Sequence, residues 1–291
     1  MSESNFVEVV DCGVDWITCT CSDSLFAQRL VDRAALWIQD EKHQGNEQLV
    51  WSQYGYEGFT CGQVTVGQRH DGVIVRLSGL AAWSHWRQAA ELATNVSRID
   101  VQITIRYKRD AAKQISNHYK TAMRSKKRGD IKRAVSLYRS DDGSATLYLG
   151  KRSSDKFCRI YEKGIESKMD HYHESVRYEV EFKNKVAMEC AAYLRNAKDE
   201  YRACQSIVAG YLDDCRISSP GLGDVPLTSI RAPTERGTTQ ISLQWLESQV
   251  RPVVERMLEC GKHSEVVEAL GYRTLVQLLR AYQRTSKRKR R

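Results

Sequence analysis

One short segment of the chain alternates between polar and apolar residues, Ser97-Arg98-Ile99-Asp100-Val101-Gln102-Ile103-Thr104. Successive side chains of a β-strand point to opposite faces of a sheet, so this alternation predicts a strand with one apolar and one polar face. The apolar face carries Ile99, Val101 and Ile103. The polar face carries Arg98, Asp100, Gln102 and Thr104.

Two later segments repeat the pattern. In the segment 177–182, the residues Arg177, Glu179 and Glu181 share a face opposite Tyr178, Val180 and Phe182. In the segment 159–163, the residues Arg159, Tyr161 and Lys163 share a face opposite Ile160 and Glu162. Three charged strand faces are costly to bury unless they meet at a metal or a ligand. The alternative for 159–163 is an ordinary edge strand whose charges are solvated.

Strand and helix patterns alternate twice along the chain. The sequence predicts helices near 24–39, 80–93, 110–126 and 185–212, with short strands between them. Asp71-Gly72 and Asp142-Gly143 are typical of tight hairpin turns. We therefore expect an α+β protein with a curved antiparallel sheet, built from two strand-helix blocks that could be a pseudo-duplication, and with a C-terminal helical extension.

The composition changes after residue 217. Residues 218–239 are rich in proline and glycine and predict a linker. The sequence thus predicts a main domain over 1–217, a linker over 218–239, and a helical module over 240–291 that ends in a basic tail. Trp245, Leu246 and Val250 begin an apolar stripe in that module.

Composition, apolar runs and cysteine spacing indicate whether the chain is folded, membrane-spanning or metal-binding. The 291 residues are 41% hydrophobic, which suits a folded protein. No apolar run approaches the roughly 20 residues that span a bilayer, and the first residues lack a basic region followed by an apolar one. The nine cysteines lack metal-ligand spacing and predict reduced core thiols. We expect a soluble, cytoplasmic protein with no membrane partner.

Basic residues concentrate in one segment of a chain whose net charge is +9. Between residues 106 and 133 they far outnumber the acids, and the cluster Lys126, Lys127 and Arg128 is the densest part. Blocks of this kind bind phosphate backbones by releasing counterions, which predicts DNA binding that weakens as salt rises. A solvated helix face is the alternative.

The segment Arg159-Ile160-Tyr161-Glu162-Lys163-Gly164-Ile165-Glu166 sets a tyrosine among cations and carboxylates. A tyrosine hydroxyl attacks phosphorus when its proton is removed and when the charge on the phosphoryl oxygens is neutralised. The segment therefore predicts phosphodiester chemistry at Tyr161. Tyr148 and Tyr178 are alternative nucleophiles.

These segments together resemble the replication initiation factors of the Rep-trans type, which occur in filamentous phages, rolling-circle plasmids and integrative elements. The matching patterns are R-I-D at 98–100, Y-x-G at 148–150 with Arg152 and Ser153, R-I-Y-x-K-G-x-E at 159–166, and R-x-E at 177–179. Asp15-Trp16 and the segment 245–250 are similar to phage members of the family.

The resemblance implies a rolling-circle initiator that nicks one origin strand, keeps the 5′ phosphate on tyrosine, leaves a 3′ hydroxyl as primer and later rejoins the ends. Tyr161 would be the nucleophile, and Arg159 and Lys163 would steady the transition-state charge. Mg²⁺ or Mn²⁺ would be held by Asp100 and Glu179, with Glu166 or Glu181 as additional ligands. Arg152 would contact a neighbouring phosphate. The main domain would then bind the origin and cut it.

The implied partners are double-stranded origin DNA, single-stranded DNA, a host helicase and a single-strand binding protein, with a homodimer left open. Two alternatives remain: a conjugative relaxase with the same chemistry, or a non-enzymatic origin-binding protein such as a repressor. An RNA-binding role lacks the aromatic strand that it needs.

Two features depart from the resemblance. Relatives often have a second acid four positions after the aspartate of R-I-D, where this chain has Thr104. His171-Tyr172-His173 matches the His-x-His metal signature of another class of initiators. Because this motif lies in a polar connection, a solvated turn, a DNA-contacting loop and a metal site all stay open.

Overall fold

The computed structural model describes residues 6–108, 110–141, 144–218, 222, 224–232 and 260–261. The chain divides into two compact units, residues 1–232 and residues 233–291. The first unit contains every strand and helix described below. Of the second unit only Cys260 and Gly261 are described. The predicted helical module over 240–291, with its apolar stripe, therefore lies otherwise outside the described residues.

A ten-stranded sheet forms the first unit, and every described pair of neighbouring strands is antiparallel. The strands are β1 (Phe6–Cys21), β2 (Gln48–Gln53), β3 (Tyr56–Cys61), β4 (Val64–Arg69), β5 (Gly72–Ser78), β6 (Asn95–Tyr107), β7 (Val135–Arg139), β8 (Ala145–Leu149), β9 (Lys156–Glu162) and β10 (Ser175–Lys183). Their order across the sheet is β2-β3-β4-β5-β1-β6-β10-β9-β8-β7.

This order consists of two similar halves. Each half begins with a long strand, β1 or β6, continues through a helix, and returns to the long strand by an antiparallel meander. The two long strands pair with each other at the centre of the sheet, with several register shifts along the pairing. The predicted α+β class, with a curved antiparallel sheet built from two strand-helix blocks, is confirmed.

Six α-helices occur in the described residues. They are α1 (Ser24–His43), α2 (Gly79–Leu92), α3 (Ala111–Arg128), α4 (Lys163–Ser167), α5 (Asn184–Asn196) and α6 (Glu200–Asp214). The Asp23 side chain caps α1, and the Asp199 side chain caps α6 by accepting from the amide of Arg202. Gly129 ends α3 in the left-handed conformation with φ of 83°, which glycine adopts without steric cost.

The apolar faces of the central strands form the core. On β6, Ile99, Val101 and Ile103 are fully buried, as the alternation predicts. Helix α6 packs on the same side, because the Cys12 thiol contacts the carbonyl of Tyr201 and Cys12 lies opposite Ile103. Helix α3 also packs there, through His118. Eight of the nine cysteines are buried and free, in agreement with the predicted core thiols, whereas Cys260 is free but exposed, so the prediction is wrong for that residue.

Local differences from the sequence-based expectations have simple causes. Strand β2 was not predicted, because Leu49 and Val50 are adjacent and both exposed, so the segment lacks a period of two. The predicted strand 159–163 ends at Glu162, and Lys163 begins α4. The hairpin signal Asp142-Gly143 falls outside the described residues. In the predicted linker, the amide of Thr228 donates to the carbonyl of Ser206 in α6 at 3.0 Å.

Helix length and hydropathy bear on membrane insertion. Within the described ranges, no helix is long and apolar enough to cross a bilayer.

Candidate active site

Three neighbouring strands place their polar side chains on one side of the sheet. We define the polar face as Asp100, Gln102 and Thr104 of β6, Arg177, Glu179 and Glu181 of β10, and Arg159 and Tyr161 of β9. Antiparallel pairing puts Glu179 between Gln102 and Arg159, and it puts Arg177 between Thr104 and Tyr161. The period-2 alternation thus brings together eight of the side chains that the sequence singled out for catalysis, metal binding or a polar strand face.

Tyr161 lies at the edge of the polar face. Its hydroxyl donates to Oε2 of Glu179 at 3.2 Å. The other carboxylate oxygen of Glu179 accepts from the guanidinium of Arg159. Burial raises the pKa of Tyr161 above its usual range, the charge of Glu179 raises it further, and Arg177 opposes both. Tyr161 is therefore a neutral phenol whose proton is already directed at a carboxylate.

Asp100 belongs to a second ionic group on the same face. Arg98 binds it in a bidentate manner, at 2.8 Å and 2.5 Å. Arg98 also pairs with Glu181 at 2.8 Å, and Glu181 pairs with Lys183 at 2.5 Å. Burial raises the pKa of Asp100 far above its usual range, and the charges of Glu179 and Glu181 add to that shift while Arg98 opposes it.

Arg177 connects the polar face to β1. Its guanidinium donates to Oδ2 of Asp11 at 2.7 Å, to Oδ1 of Asp15 at 3.2 Å and to the hydroxyl of Thr104 at 2.9 Å. At the position where relatives often have an acid, this chain therefore has a threonine whose hydroxyl accepts a hydrogen bond from an arginine. No sequence pattern singled out Asp11, and Asp15 was indicated only by the family resemblance. The register of β1 against β6 is what brings these acids to Arg177.

The remaining predicted catalytic and metal residues lie on α4. Lys163 pairs with Glu166 at 2.5 Å, and its ammonium group lies 5.8 Å from the centre of the Tyr172 ring. Glu166 is exposed, and its charge contributes to the raised pKa of Tyr161. Both residues therefore border Tyr161, but they lie on a helix after the strand and not on the strand face that the alternation predicted for Lys163.

The alternative nucleophiles lie in different surroundings. Tyr178 is fully buried on the opposite side of β10, where its hydroxyl contacts the hydroxyl of Tyr107 at 2.6 Å and Nε2 of His118 at 2.8 Å. Tyr148 lies on the side of Tyr161, stacked on Phe157 at 5.7 Å between ring centres. Because Tyr178 has no exposed surface, this structure does not favour it as a nucleophile.

The predicted DNA contacts fall in two places. Arg152 is exposed, and its guanidinium lies 5.9 Å from the Tyr148 ring centre, on the side of the sheet that carries Tyr161. Lys126, Lys127 and Arg128 form the last turn of α3, where they are exposed. Because α3 packs on the opposite side of the sheet through His118, the structure does not bring this turn to Tyr161.

The carboxylates can be tested as ligands for Mg²⁺ or Mn²⁺. Among the described residues, no three His, Cys, Asp or Glu side chains are arranged as a ready ligand cluster. Mg²⁺ is commonly held by only one or two carboxylates, with water and substrate phosphates completing the shell. Asp100, Glu179 and Glu181 supply oxygen donors on adjacent strands. Burial is the main cause of the raised pKa of Asp100, and the charges of Glu179 and Glu181 add to it, so a cation beside these carboxylates would favour the ionised form of Asp100. The donor chemistry thus fits a divalent cation.

The His-x-His motif forms an exposed turn. Asp170–Tyr172 is a short 3₁₀ helix, and both histidines are exposed. The described residues place no third metal-ligating side chain beside them. Tyr172 instead points toward β1, where its hydroxyl donates to Asp11 at 3.3 Å.

Comparison with known proteins gives a family. The family model described as "Replication initiation factor" matches residues 94–270, more than half of the chain. A solved structure, "Structure of Rolling Circle Replication Initiator Protein from Geobacillus stearothermophilus", is 20% identical, with 76% of this chain and 93% of that chain covered and a TM-score of 0.48. No curated protein matches the chain.

Proposed function

The chain belongs to the replication initiation factor family, and from that premise we propose that it starts rolling-circle replication by cutting one DNA strand at the origin with Tyr161. One observation carries the proposal. The Tyr161 hydroxyl donates to Glu179 on a polar sheet face, with Arg159 and Arg177 beside it. A nucleophile, Tyr161, a proton acceptor, Glu179, and a cation for the phosphoryl oxygens, Arg159, thus lie side by side.

The proposed cut transfers a phosphoryl group to the protein. The phenolic oxygen of Tyr161 forms a bond to phosphorus while the bond from phosphorus to the 3′ oxygen breaks. Glu179 takes the phenolic proton, and the departing 3′ oxygen takes a proton from water. The products are a 5′ phosphotyrosine and a free 3′ hydroxyl. Rejoining is the reverse: a 3′ hydroxyl attacks the phosphotyrosine and releases Tyr161.

Each charged neighbour has a role in this scheme. Arg159 would neutralise the phosphoryl oxygens as negative charge develops on them. Arg177, whose guanidinium is held by Asp11, Asp15 and Thr104, would instead favour the ionised form of Tyr161 through its charge. Asp100 and Glu179, with Glu181, would hold Mg²⁺ or Mn²⁺, which supplies further stabilisation of the same oxygens. Lys163 would keep the α4 end of the site positive, and Arg152 would contact a neighbouring phosphate. The raised pKa of Tyr161 explains why a proton acceptor at hydrogen-bonding distance is needed.

The same proposal defines the partners. A nicking initiator binds double-stranded origin DNA and releases single-stranded DNA, and it depends on a helicase and a single-strand binding protein of the host. It would act in the host cytoplasm, where the replicating DNA lies. A second copy of the chain would be needed where two cuts occur in one cycle.

A nicking assay tests the proposal. The substrate is a supercoiled plasmid that carries the coding sequence of this chain with its flanking DNA. With Mg²⁺, wild-type protein should produce open circles and a covalent protein–DNA band after denaturation, and Tyr161→Phe should abolish both while binding persists. Tyr148→Phe is the matched control and should still nick. Nicking by Tyr161→Phe would assign the chemistry to another residue.

The alternatives give different results in this assay. A non-enzymatic origin-binding protein would retain plasmid binding, through the basic end of α3, but would produce neither product. A conjugative relaxase would produce the same open circles, since the chemistry is shared. The two are separated by asking whether the protein supports replication of a small plasmid in cells or only its transfer.

A further inference from the structure

A cavity of about 470 Å³ opens beside the polar face. We define the Trp83 pocket by six of its lining residues, Asp11, Asp15, Gln63, Trp83, Gln102 and Arg177. Its volume lies in the range of sites that hold small ligands. Arg177 is the register partner of Tyr161, and Lys163 lines the pocket two residues after Tyr161. The pocket is therefore adjacent to the proposed nucleophile.

One wall of the pocket is apolar and unusually exposed. Leu80, Trp83 and Met169 are 70%, 57% and 55% exposed. The Trp83 ring lies directly on Gly13 of β1, where an added Cβ would stand 2.6 Å from Cδ1 of the ring. The missing side chain of Gly13 thus lets an indole lie across the strand. An exposed indole in a cavity is the platform on which unpaired bases stack.

The opposite wall presents hydrogen-bonding groups with defined directions. Gln102 is only 3% exposed. The Thr104 hydroxyl accepts from Nε of Arg177, so it must donate its own proton to Oε1 of Gln102, at 3.1 Å. The Gln102 oxygen is therefore occupied. Its NH₂ group makes no hydrogen bond to another described residue, and because no fully buried side-chain nitrogen of the described residues lacks a partner, this group is open to the pocket that Gln102 lines.

Gln63, which contacts the start of α2, likewise has an occupied side-chain oxygen and an NH₂ group that can donate. Its Oε1 accepts from the amide of Ala81 at 3.0 Å, which leaves its NH₂ group free to donate. Asp15 adds acceptors: Oδ1 accepts from Arg177, and Oδ2 makes no hydrogen bond within the described part of the chain. The pocket thus offers two amide donors and a carboxylate acceptor beside an aromatic ring.

The charge of the pocket selects among ligands. Asp11 and Asp15 share the guanidinium of Arg177, and Lys163, which also lines the pocket, pairs with Glu166, so a phosphate inside the pocket would find both cations already paired with carboxylates. A neutral planar group needs no unpaired cation. Guanine, cytosine and adenine each carry an amino group that can donate to a carboxylate, together with an acceptor for an amide donor, whereas thymine carries no amino group.

We propose that the Trp83 pocket binds one unpaired nucleobase with an exocyclic amino group, stacked on Trp83 and hydrogen-bonded by Asp15 and Gln102, from the strand that Tyr161 cuts. The proposal rests on the proposed function, because it makes the pocket a specificity determinant for the base beside the cleaved phosphate. It requires that strand to be single-stranded at the cut.

Equilibrium binding without metal tests this inference separately from nicking. The probes are labelled short oligothymidines that carry thymine, guanine, cytosine or adenine at one central position, and fluorescence anisotropy of the full-length protein gives the dissociation constants. We expect at least one amino-bearing base to bind about tenfold tighter than thymine. Asp15→Asn replaces the acceptor with a donor and should abolish or invert this preference. Asp71→Asn, an exposed carboxylate paired with Arg69 on the β4–β5 turn, is the matched control.

Trp83 variants test the stacking. Trp83→Ala should weaken binding of all the oligonucleotides about tenfold, Trp83→Phe should restore most of the affinity, and Tyr138→Ala, which removes an aromatic ring of similar exposure on β7, should change nothing. Equal binding of all four probes, or a base preference that Asp15→Asn leaves intact, would overturn the inference. Tyr161 is not required for this binding, so the two proposals can fail separately. If the protein prefers one base but does not nick, only the proposed function is contradicted. If it nicks but shows no base preference, only the proposed role of the Trp83 pocket is contradicted.

Discussion

Tyr161 and Tyr178 lie on neighbouring strands of one sheet but face opposite sides of it. Burial raises the pKa of both. The Tyr178 hydroxyl contacts Tyr107 and His118 on the side of the sheet that α3 and α6 cover, and no ion pair or charged hydrogen-bond partner reaches it from the described residues. The Tyr161 hydroxyl meets a carboxylate and lies beside two arginines on the polar face. A buried phenol is therefore a candidate nucleophile because of its proton acceptor and nearby cations, and not because it is buried.

The largest expected effect is the contrast between the two phenols. Tyr161→Phe should remove nicking entirely, because no other atom can take over the attack at that position. Tyr178→Phe should leave nicking measurable and lower the free energy of unfolding by about 1 to 3 kcal/mol, since it leaves Tyr107 and His118 without a shared partner. Gel assays of open-circular DNA and denaturant titrations measure the two effects. If only Tyr178→Phe lost nicking activity, Tyr178 and not Tyr161 would be the nucleophile.

The second-largest expected effect is the loss of nicking rate on substitution of Glu179. Glu179→Gln keeps the shape but removes the proton acceptor, so the nicking rate should fall by about 10²- to 10⁴-fold. Single-turnover nicking rates at saturating protein give the measurement. Glu166→Gln, which changes the exposed partner of Lys163, is the matched control and should fall less than about tenfold. Equal losses in the two variants would show that general negative charge matters and that the Tyr161 contact does not.

On the side of the sheet that α3 covers, His118 should make the free energy of unfolding depend on pH in the acid range. Burial lowers the pKa of His118 to about 4, whereas an unfolded histidine has a pKa near 6.5. Between these values the unfolded chain binds more protons, so His118 lowers the stability as the pH falls. From about pH 7 to about pH 5 this should cost about 2 kcal/mol.

His118→Gln keeps a hydrogen-bonding side chain but cannot be protonated, so it should lose about 2 kcal/mol less than the wild type over this pH interval. Asp100 titrates in the opposite direction, but it is present in both proteins and its effect cancels in the difference. Denaturant titrations at the two pH values give the numbers. An unchanged difference between wild type and variant at the two pH values would mean that His118 is not held neutral by its surroundings.

The smallest effect concerns the basic turn of α3. Replacing Lys126, Lys127 and Arg128 by alanine should reduce the slope of log affinity against log salt by up to about 3, and it should leave the nicking rate of bound DNA unchanged. Anisotropy titrations at several salt concentrations measure the slope. A changed nicking rate of bound complexes would show that the helix-packed side contributes to the chemistry as well.

Much of this comparison could be predicted before the structure. The period of two on β6 and β10 assigned Asp100, Glu179 and Glu181 to one face and Tyr178 to the other, and the structure confirms each assignment. The same reasoning was wrong for Lys163, because a strand pattern does not reveal where the chain turns into a helix. It missed Asp11, because an acid is recognised as part of a site only once its neighbour is known.

The sequence by itself determined which side chains share a strand face, because the pleat alternates along any single strand and depends only on local geometry. Tertiary structure alone decided which strands are neighbours and in what register. Those pairings join residues up to 101 positions apart, as for Phe6 and Tyr107, and the side-chain contact of Arg177 with Asp11 spans 166 positions. Strand order follows from the packing of the entire sheet, and so the Trp83 pocket, drawn from β1, α2, β6 and β10, has no signature in any one segment.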